Sequence, residues 1–344
     1  MEHIAPDSQV HEHTVTFDGG IVSEFISVVN DWGRRRIPFL FIADFELKMP
    51  QAIALDRIEP GKILYEINGY SNALPQNAGR LPTSTLLRKH PMPEPVYREK
   101  YDKVLRHLHY GDTYLTNLTI PTRVELPCAL HELFYVSRAK YKLLYEDRFL
   151  VFSPETFVKI EEGTIRSFPM KGTIDASLPN ARDKILSDQK ELAEHVTIVD
   201  LIRNDLSQVA TQVTVPRFRY VEKIRTSGKN LLQVSSEVRG RLPDEYRSRL
   251  GEIIVALLPA GSVSGAPKAR TLEVIREAEG CERGYYTGVF GYHDGNRLDS
   301  GVMIRYIERN GEGWIYRSGG GITTQSVPEA EYQEAIDKVY VPFD

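Results

Sequence analysis

The sequence predicts an α+β fold built on large antiparallel sheets, and three observations point to it. Strand-like runs recur along the first half. Asp294-Gly295 and Asn310-Gly311 are hairpin signals between strand-like runs near the end. Helical stretches fall between groups of strands instead of alternating with single ones, as a doubly wound parallel sheet would require.

The elements follow in chain order. From about Thr14 to Glu161 the runs TVTFDG, IPFLFIADFEL, KILYEI and RFLVFS read as strands separated by turn residues. One helix, EPVYREKYDKVLRHLHYGD, interrupts them and stops at Gly111. Ala73 to Pro95, rich in Pro and small polar residues, reads as a linker or a long surface excursion. Next come a helix from about Asp183 to Val209, strands near Val213–Val221 and Leu231–Arg239, and a helix from about Ala266 to Glu279. The strands of TGVFGYHDG and SGVMIRYIERNGEGWIYRSGGG and a last helix from Pro328 complete the chain. There is no internal repeat, and length alone does not choose between one domain and two.

The chain has 344 residues, 41% hydrophobic and 26% charged, the balance of a soluble globular enzyme. A net charge of -4 with both signs interspersed provides no basic stripe, so nucleic acid is not expected as a partner. Arg34 to Arg36 reads as a solvated edge. Cys128 and Cys281 are too few for a disulfide framework and lack paired metal spacing, which suits a reducing cytoplasm. No apolar run approaches the roughly 18 residues that span a bilayer, so no membrane partner is expected, and the Asn117-Leu118-Thr119 sequon carries no meaning.

Glu191 and Glu194 share a helical stripe with Ile198 and Leu201. Carboxylates that continue an apolar stripe need a metal or a basic partner, unless they belong to an exposed first turn. In the last helix Ser326 and Glu329 form a capping box with Pro328 in the first turn, and Glu331, Glu334 and Lys338 line one side. One carboxylate from each helix would make the oxygen-rich site that Mg2+ prefers. AGSVSGAPKART, with Ser264 as helix cap and Lys268 behind it, and SGGGITTQS suit an anionic ligand, against plain loops as the bland alternative. Strand alternation puts Arg305 on the face of Met303 and Ile307, where it needs a partner: a salt bridge or a ligand carboxylate. Lys171, in SFPMKGTI, is either an exposed turn lysine or, if desolvated, one whose pKa falls until it can act as nucleophile or base.

In this order the segments SPETF, PMKGT, KELAEHVTIVDLIRNDLSQVA, AGSVSGAPKARTLEVI, GYYTGVFGY, SGVMIRYI, SGGGI and EAEYQEAIDK resemble the chorismate-utilizing enzymes, from about Ser153 to Lys338. GDTYLTNLT, at Gly111 to Thr119, looks like the family's Gly-Asp-x-Tyr-Gln-x-Asn-Leu-Thr segment. The resemblance implies two large, mainly antiparallel sheets packed as a sandwich with helices outside. It divides the chain into a weakly matching β-rich part, 1–95, and a chorismate-binding catalytic region, 96–344, in one intertwined unit.

Most members carry Ala where Lys171 stands, whereas Lys marks the aminodeoxychorismate synthase component I branch. The resemblance therefore implies that Lys171 attacks C2 of chorismate, that Glu155 protonates the leaving C4 hydroxyl, and that ammonia adds at C4. Glu194 and Glu334 match the Mg2+ ligands, with Glu191 and Glu331 in support. Arg305, Gly320, Gly321, Tyr286 and Lys338 match positions that bind substrate carboxylates. Thr173 belongs to a loop beside the ring, and Lys268 lies in the matching GAPK segment. Three positions depart from the pattern: Gln233 replaces a histidine, Leu115 a glutamine and Met170 an isoleucine. The N-terminus looks short for a tryptophan-binding regulatory pocket. A glutamine amidotransferase subunit is the implied ammonia source, for 4-aminobenzoate and folate synthesis. The alternatives are anthranilate synthase component I, then an isochorismate or salicylate synthase, and a catalytically silent subunit that anchors a glutaminase.

Overall fold

Phe39–Ala43 is apolar at every position, because both of its faces are covered. Phe39, Phe41 and Ala43 pack into one core and Leu40 and Ile42 into another. The same split recurs at Phe149–Ser153, where Phe149 and Val151 face the second core and Leu150 and Phe152 a third. Strands with two buried faces define a layered sandwich.

The computed structural model describes residues 19–74, 87–225 and 230–342. Its elements in chain order are α1 (Gly19–Arg34), β1 (Phe39–Ala43), β2 (Gln51–Ala54), β3 (Ile63–Ile67), β4 (Tyr70–Ser71), β5 (Arg88–His90), α2 (Glu94–Tyr110), β6 (Leu115–Glu125), α3 (Leu130–Val136), β7 (Tyr141–Tyr145) and β8 (Phe149–Ser153). Then come β9 (Thr156–Glu161), β10 (Thr164–Ser167), β11 (Met170–Asp175), α4 (Ala181–Ser187), α5 (Gln189–Ser207), β12 (Thr211–Arg225), β13 (Asn230–Arg241), α6 (Leu250–Ala256) and β14 (Gly265–Ala266). α7 (Lys268–Glu279), β15 (Val289–His293), β16 (Leu298–Val302), β17 (Tyr306–Asn310), β18 (Gly313–Ile322) and α8 (Pro328–Asp337) close the chain.

Two antiparallel sheets of nine strands result. Sheet A runs β11-β13-β10-β9-β16-β15-β1-β2 with β12 also on β13; sheet B runs β14-β6-β18-β17-β8-β7-β3-β4 with β5 also on β6. Leu40, Tyr141, Phe290 and Tyr306 fill the space between the sheets. α1, α5 and α6 cover the outer face of sheet A, and α3 packs on sheet B. α2, α7 and α8 enclose a further cluster against β6. Among the described residues up to 95 no strand group forms a sheet of its own, since β1 pairs with β15 and β3 with β7.

Several sequence expectations need correction. α1 was not foreseen, although Val22, Phe25 and Val29 recur at helical spacing and are buried. The TVTFDG strand lies almost wholly outside the described residues, as does much of the proposed linker, whose end forms β5 and the start of α2. The helix expected from Asp183 is two helices, because Asp188 turns extended and its side chain caps α5 by accepting from the Glu191 N–H at 3.0 Å. Ser264 does not cap α7: Pro267 holds that position and the Ser264 hydroxyl donates to the Ala260 carbonyl at 2.9 Å. The Ser326–Glu329 box does not form either; Val327 is the cap, and Glu329 pairs with Arg98. α2 does stop at Gly111, which takes a left-handed φ of 85°. Among the described residues no helix is long and apolar enough to cross a membrane.

Candidate active site

Two passages of the chain between the sheets build one wall. β8 ends in sheet B at Ser153 and β9 begins in sheet A at Thr156, so Glu155 lies on the crossing. β16 ends in sheet A at Val302 and β17 begins in sheet B at Tyr306, so Arg305 lies on the return. The Val302 N–H donates to the Glu155 carbonyl at 3.1 Å and the Phe152 N–H to the Arg305 carbonyl at 3.0 Å, which holds the passages side by side. Arg305 takes a φ of 54°, rare outside glycine, and strand alternation stops there. Its expected shared face with Met303 and Ile307 is therefore corrected: Met303 lies between the sheets and Ile307 in the outer core of sheet B.

Lys171 occupies a bulge of β11, between the pairs Met170–Ser235 and Thr173–Gln233. Gly172 beside it has a φ of 88°, and a Cβ there would stand 2.9 Å from Glu191 Oε2. Glu194, one turn along α5, pairs with the Lys171 ammonium at 2.6 Å. On α8 Glu334 pairs with Lys338 at 2.6 Å, and Lys338 donates to the Gly319 carbonyl at 2.8 Å. A Cβ on Gly320 would lie 3.3 Å from Glu331 Oε2 and 3.6 Å from both Glu334 Oε1 and Lys338 Nζ, so these side chains close over the glycine run. Lys171 feels the charges of Glu191, Glu194 and Glu334, and Lys338 feels Lys171, so the two helices converge on one charged cluster.

Burial opposes the charge on Lys171, but the neighbouring carboxylates, Glu194 foremost, outweigh it and hold its pKa above the ordinary value. Burial alone would lower the lysine pKa; the Glu194 pair instead favours the ammonium. Lys338 goes the other way, because burial, with Arg305 and Lys171 adding repulsion, outweighs Glu334. Burial pushes the Glu155 carboxyl above its ordinary value, against the Ser262 hydroxyl that donates to it and the charges of Arg305 and Lys338.

A cavity of about 290 Å³ brings together some of these groups but not Arg305, Gly320, Glu334 or Lys338. Glu155, Lys171, Glu194 and Gly321 line it, together with Tyr114, Leu115, Thr197, Ser262 and Thr323 to Gln325. Of the second set Leu115 stood out singly in the sequence, and Thr323 to Gln325 within the SGGGITTQS stretch. Ser262 was missed, although it lies in the glycine-rich turn before α7, whose polar residues were the available signal. Tyr286 is buried against Tyr306, ring centroids 5.7 Å apart, and burial pushes its pKa up to about 12. Thr173 is exposed, on strand β11 and not in a loop, opposite Gln233 in the ladder with β13. Neither lines this cavity. Lys268 pairs with the buried Asp205 at 2.8 Å.

The glutamates assigned to Mg2+ are of the hard-oxygen type that such a cation takes. Among the described residues no three His, Cys, Asp or Glu side chains stand together as a ready metal cage. Lysine ammoniums supply the positive charge instead, at the two carboxylates named as ligands. The donor type is the one a hard divalent cation takes, with the charge here balanced by the two lysines.

Residues 56–344 match the family model described as chorismate binding enzyme. An "uncharacterized PabA-like protein" of Pasteurella multocida is 48% identical over 92% of this chain and 98% of its own length. Aminodeoxychorismate synthase component 1 of Salmonella typhimurium is 35% identical over 71% of this chain, which spans 56% of that protein. The crystal structure of anthranilate synthase component I from Streptococcus pneumoniae superposes with a TM-score of 0.63 at 27% identity, covering 77% of this chain and 62% of that one.

Proposed function

Since the chain belongs to the chorismate binding enzyme family, we propose that it is an aminodeoxychorismate synthase component I, replacing the C4 hydroxyl of chorismate by an amino group. The observation that carries this reading is a lysine nucleophile candidate, Lys171, and a raised carboxyl, Glu155, opening into one cavity.

In this reading Lys171, once neutral, attacks C2 of the ring. The diene shifts, the C4–O bond breaks, and Glu155 supplies the proton with which the hydroxyl leaves as water. Ammonia then forms the C4–N bond, the diene shifts back, and the C2–Nζ bond breaks, so one difficult substitution becomes two displacements. Arg305, Lys338 and the Gly321 N–H are suited to the substrate carboxylates, Arg305 by its planar fork, while Gly320, whose N–H faces Leu118 in the ladder, leaves room beside them. Mg2+, held by Glu194 and Glu334 with Glu191 and Glu331 in support, would offset the charge of the ring carboxylate. Ammonia would come from a glutamine amidotransferase subunit.

Mass spectrometry of the purified chain with chorismate, Mg2+ and ammonium, with and without an aminodeoxychorismate lyase, tests the reading. Lyase-dependent 4-aminobenzoate is the expected result. The pairing of Lys171 with Glu194 favours a second reading, anthranilate synthase component I, in which the lysine never attacks; 2-aminobenzoate would establish that one.

A further inference from the structure

A second cavity, of about 20 Å³, adjoins the first and shares Glu155, Pro169 and Ser262 with it. That is room for about one water, which needs two to four polar partners to be held in a protein interior. Glu155, Ser262 and Asp205 line the space, among apolar walls that include Phe157, Ile202 and Leu206. The Ser262 hydroxyl donates to Glu155 Oε1. Asp205 is 6% exposed; its Oδ2 lies against Gly261, where a Cβ would come within 2.8 Å, and its Oδ1 pairs with Lys268 at 2.8 Å. The Lys268 side chain keeps 19% of its surface in solvent. A line of polar groups therefore runs from solvent through Lys268, Asp205, the small cavity and Ser262 to Glu155.

The mechanism above leaves Glu155 ionised after each turnover. We propose that Asp205, Ser262 and one water in the small cavity return a proton from solvent to Glu155, making Asp205 and Ser262 positioning residues that act through the general acid. The inference rests on the proposed amination. The Lys268 ammonium passes a proton to Asp205 and regains one from solvent. Asp205 passes a proton to the water, the water to the Ser262 oxygen, and Ser262 its own to the Glu155 carboxylate. Every carrier ends as it began, and the net change is one proton moved from solvent to Glu155. The charged groups facing Glu155 are Arg305 and Lys338, and the one facing Asp205 is Lys268. Burial, the largest influence at both carboxyls, raises Glu155 and Asp205 against these cations, so each holds a proton more readily than an exposed carboxyl and can pass it along.

Two measurements decide it. A high-resolution crystal structure should hold a water within hydrogen-bond distance of Ser262 and Asp205; a dry cavity overturns the relay. In Asp205→Asn, amination in a single turnover should stay within about twofold of the unmodified chain, because Glu155 starts protonated, while steady-state turnover falls by at least about tenfold and recovers with added formic acid buffer. If Asp205→Asn fails to fold, Lys268→Gln, which breaks the line at its solvent end, should show the same split between single-turnover and steady-state rates. Single-turnover and steady-state rates that fall together, or a steady state that does not change, would overturn the relay and leave the amination standing. No aminated product from the unmodified chain would overturn the amination and the relay with it.

Discussion

At Lys171 the sign of the pKa shift decides what the side chain can do. Paired with Glu194 it is an ammonium and cannot attack carbon, so the proposed chemistry requires that pair to open. Lys171→Ala should lose all C4 amination while keeping its far-ultraviolet circular dichroism; aminodeoxychorismate made by that variant would remove the nucleophile role. Glu155 predicts the pH dependence. Its carboxyl is raised, so the acid form survives above the ordinary carboxylate range, and kcat/KM should fall as pH rises through that value. Glu155→Gln should lose this limb and about 10²–10⁴ in rate. Stability moves the same way. The folded chain holds the Glu155 proton more tightly than the unfolded chain, so the stability this group contributes is complete below the ordinary carboxyl value and lost as pH rises through the raised one. Urea denaturation at neutral pH should therefore find Glu155→Gln at least as stable as the unmodified chain. The residue types of this site were legible in order along the sequence, but the pairing that reverses the expected lysine shift depends on Glu194, which lies on a different element.

At the scale of elements, the glycine-rich turn that carries Ser262 is held by a charge that the sequence did not mark. Arg283 is 1% exposed and donates to both oxygens of Glu279, to the Val263 carbonyl at 2.7 Å and to the Asn117 carbonyl at 2.6 Å. Glu279 also accepts from the Thr119 N–H and hydroxyl, both at 2.9 Å. This cluster ties α7, β6 and the turn before β14 together. Removing one partner of a buried pair leaves the other uncompensated, so Arg283→Met should cost about 3–5 kcal/mol in urea unfolding. A loss below about 1 kcal/mol would mean that Glu279 finds another partner. Helix existence was readable in α2 and α7, whereas α1, longer than α7, was missed although apolar spacing runs through it. Caps were not: Ser264 and Ser326 each had the right chemistry, but their hydroxyl groups serve neighbouring loop backbone.

For the whole molecule, the site lies where the chain changes sheets, so it exists only when both sheets are complete. The glutamates named for Mg2+ can pair with lysines, so removing the metal should not cost the fold. Dialysis against EDTA should abolish amination, with Mg2+ restoring it, while the thermal midpoint stays within about 4 °C, the shift that about 1 kcal/mol makes in a large domain. Unfolding on chelation would show that the lysine pairs do not carry the charge balance.

The sequence by itself determined the alternation of strands, the Asp294-Gly295 and Asn310-Gly311 hairpins, the main helices and the residue types at the site, because periodicity and turn chemistry act within a few residues. Tertiary structure alone decided that Glu155 and Arg305 stand on adjacent passages between sheets, that Lys171 meets Glu194, and that Asp205 lies behind Ser262. Those contacts join segments from tens to about 150 residues apart, and the burial and charge pairing that set their chemistry exist only once both sheets have closed on each other.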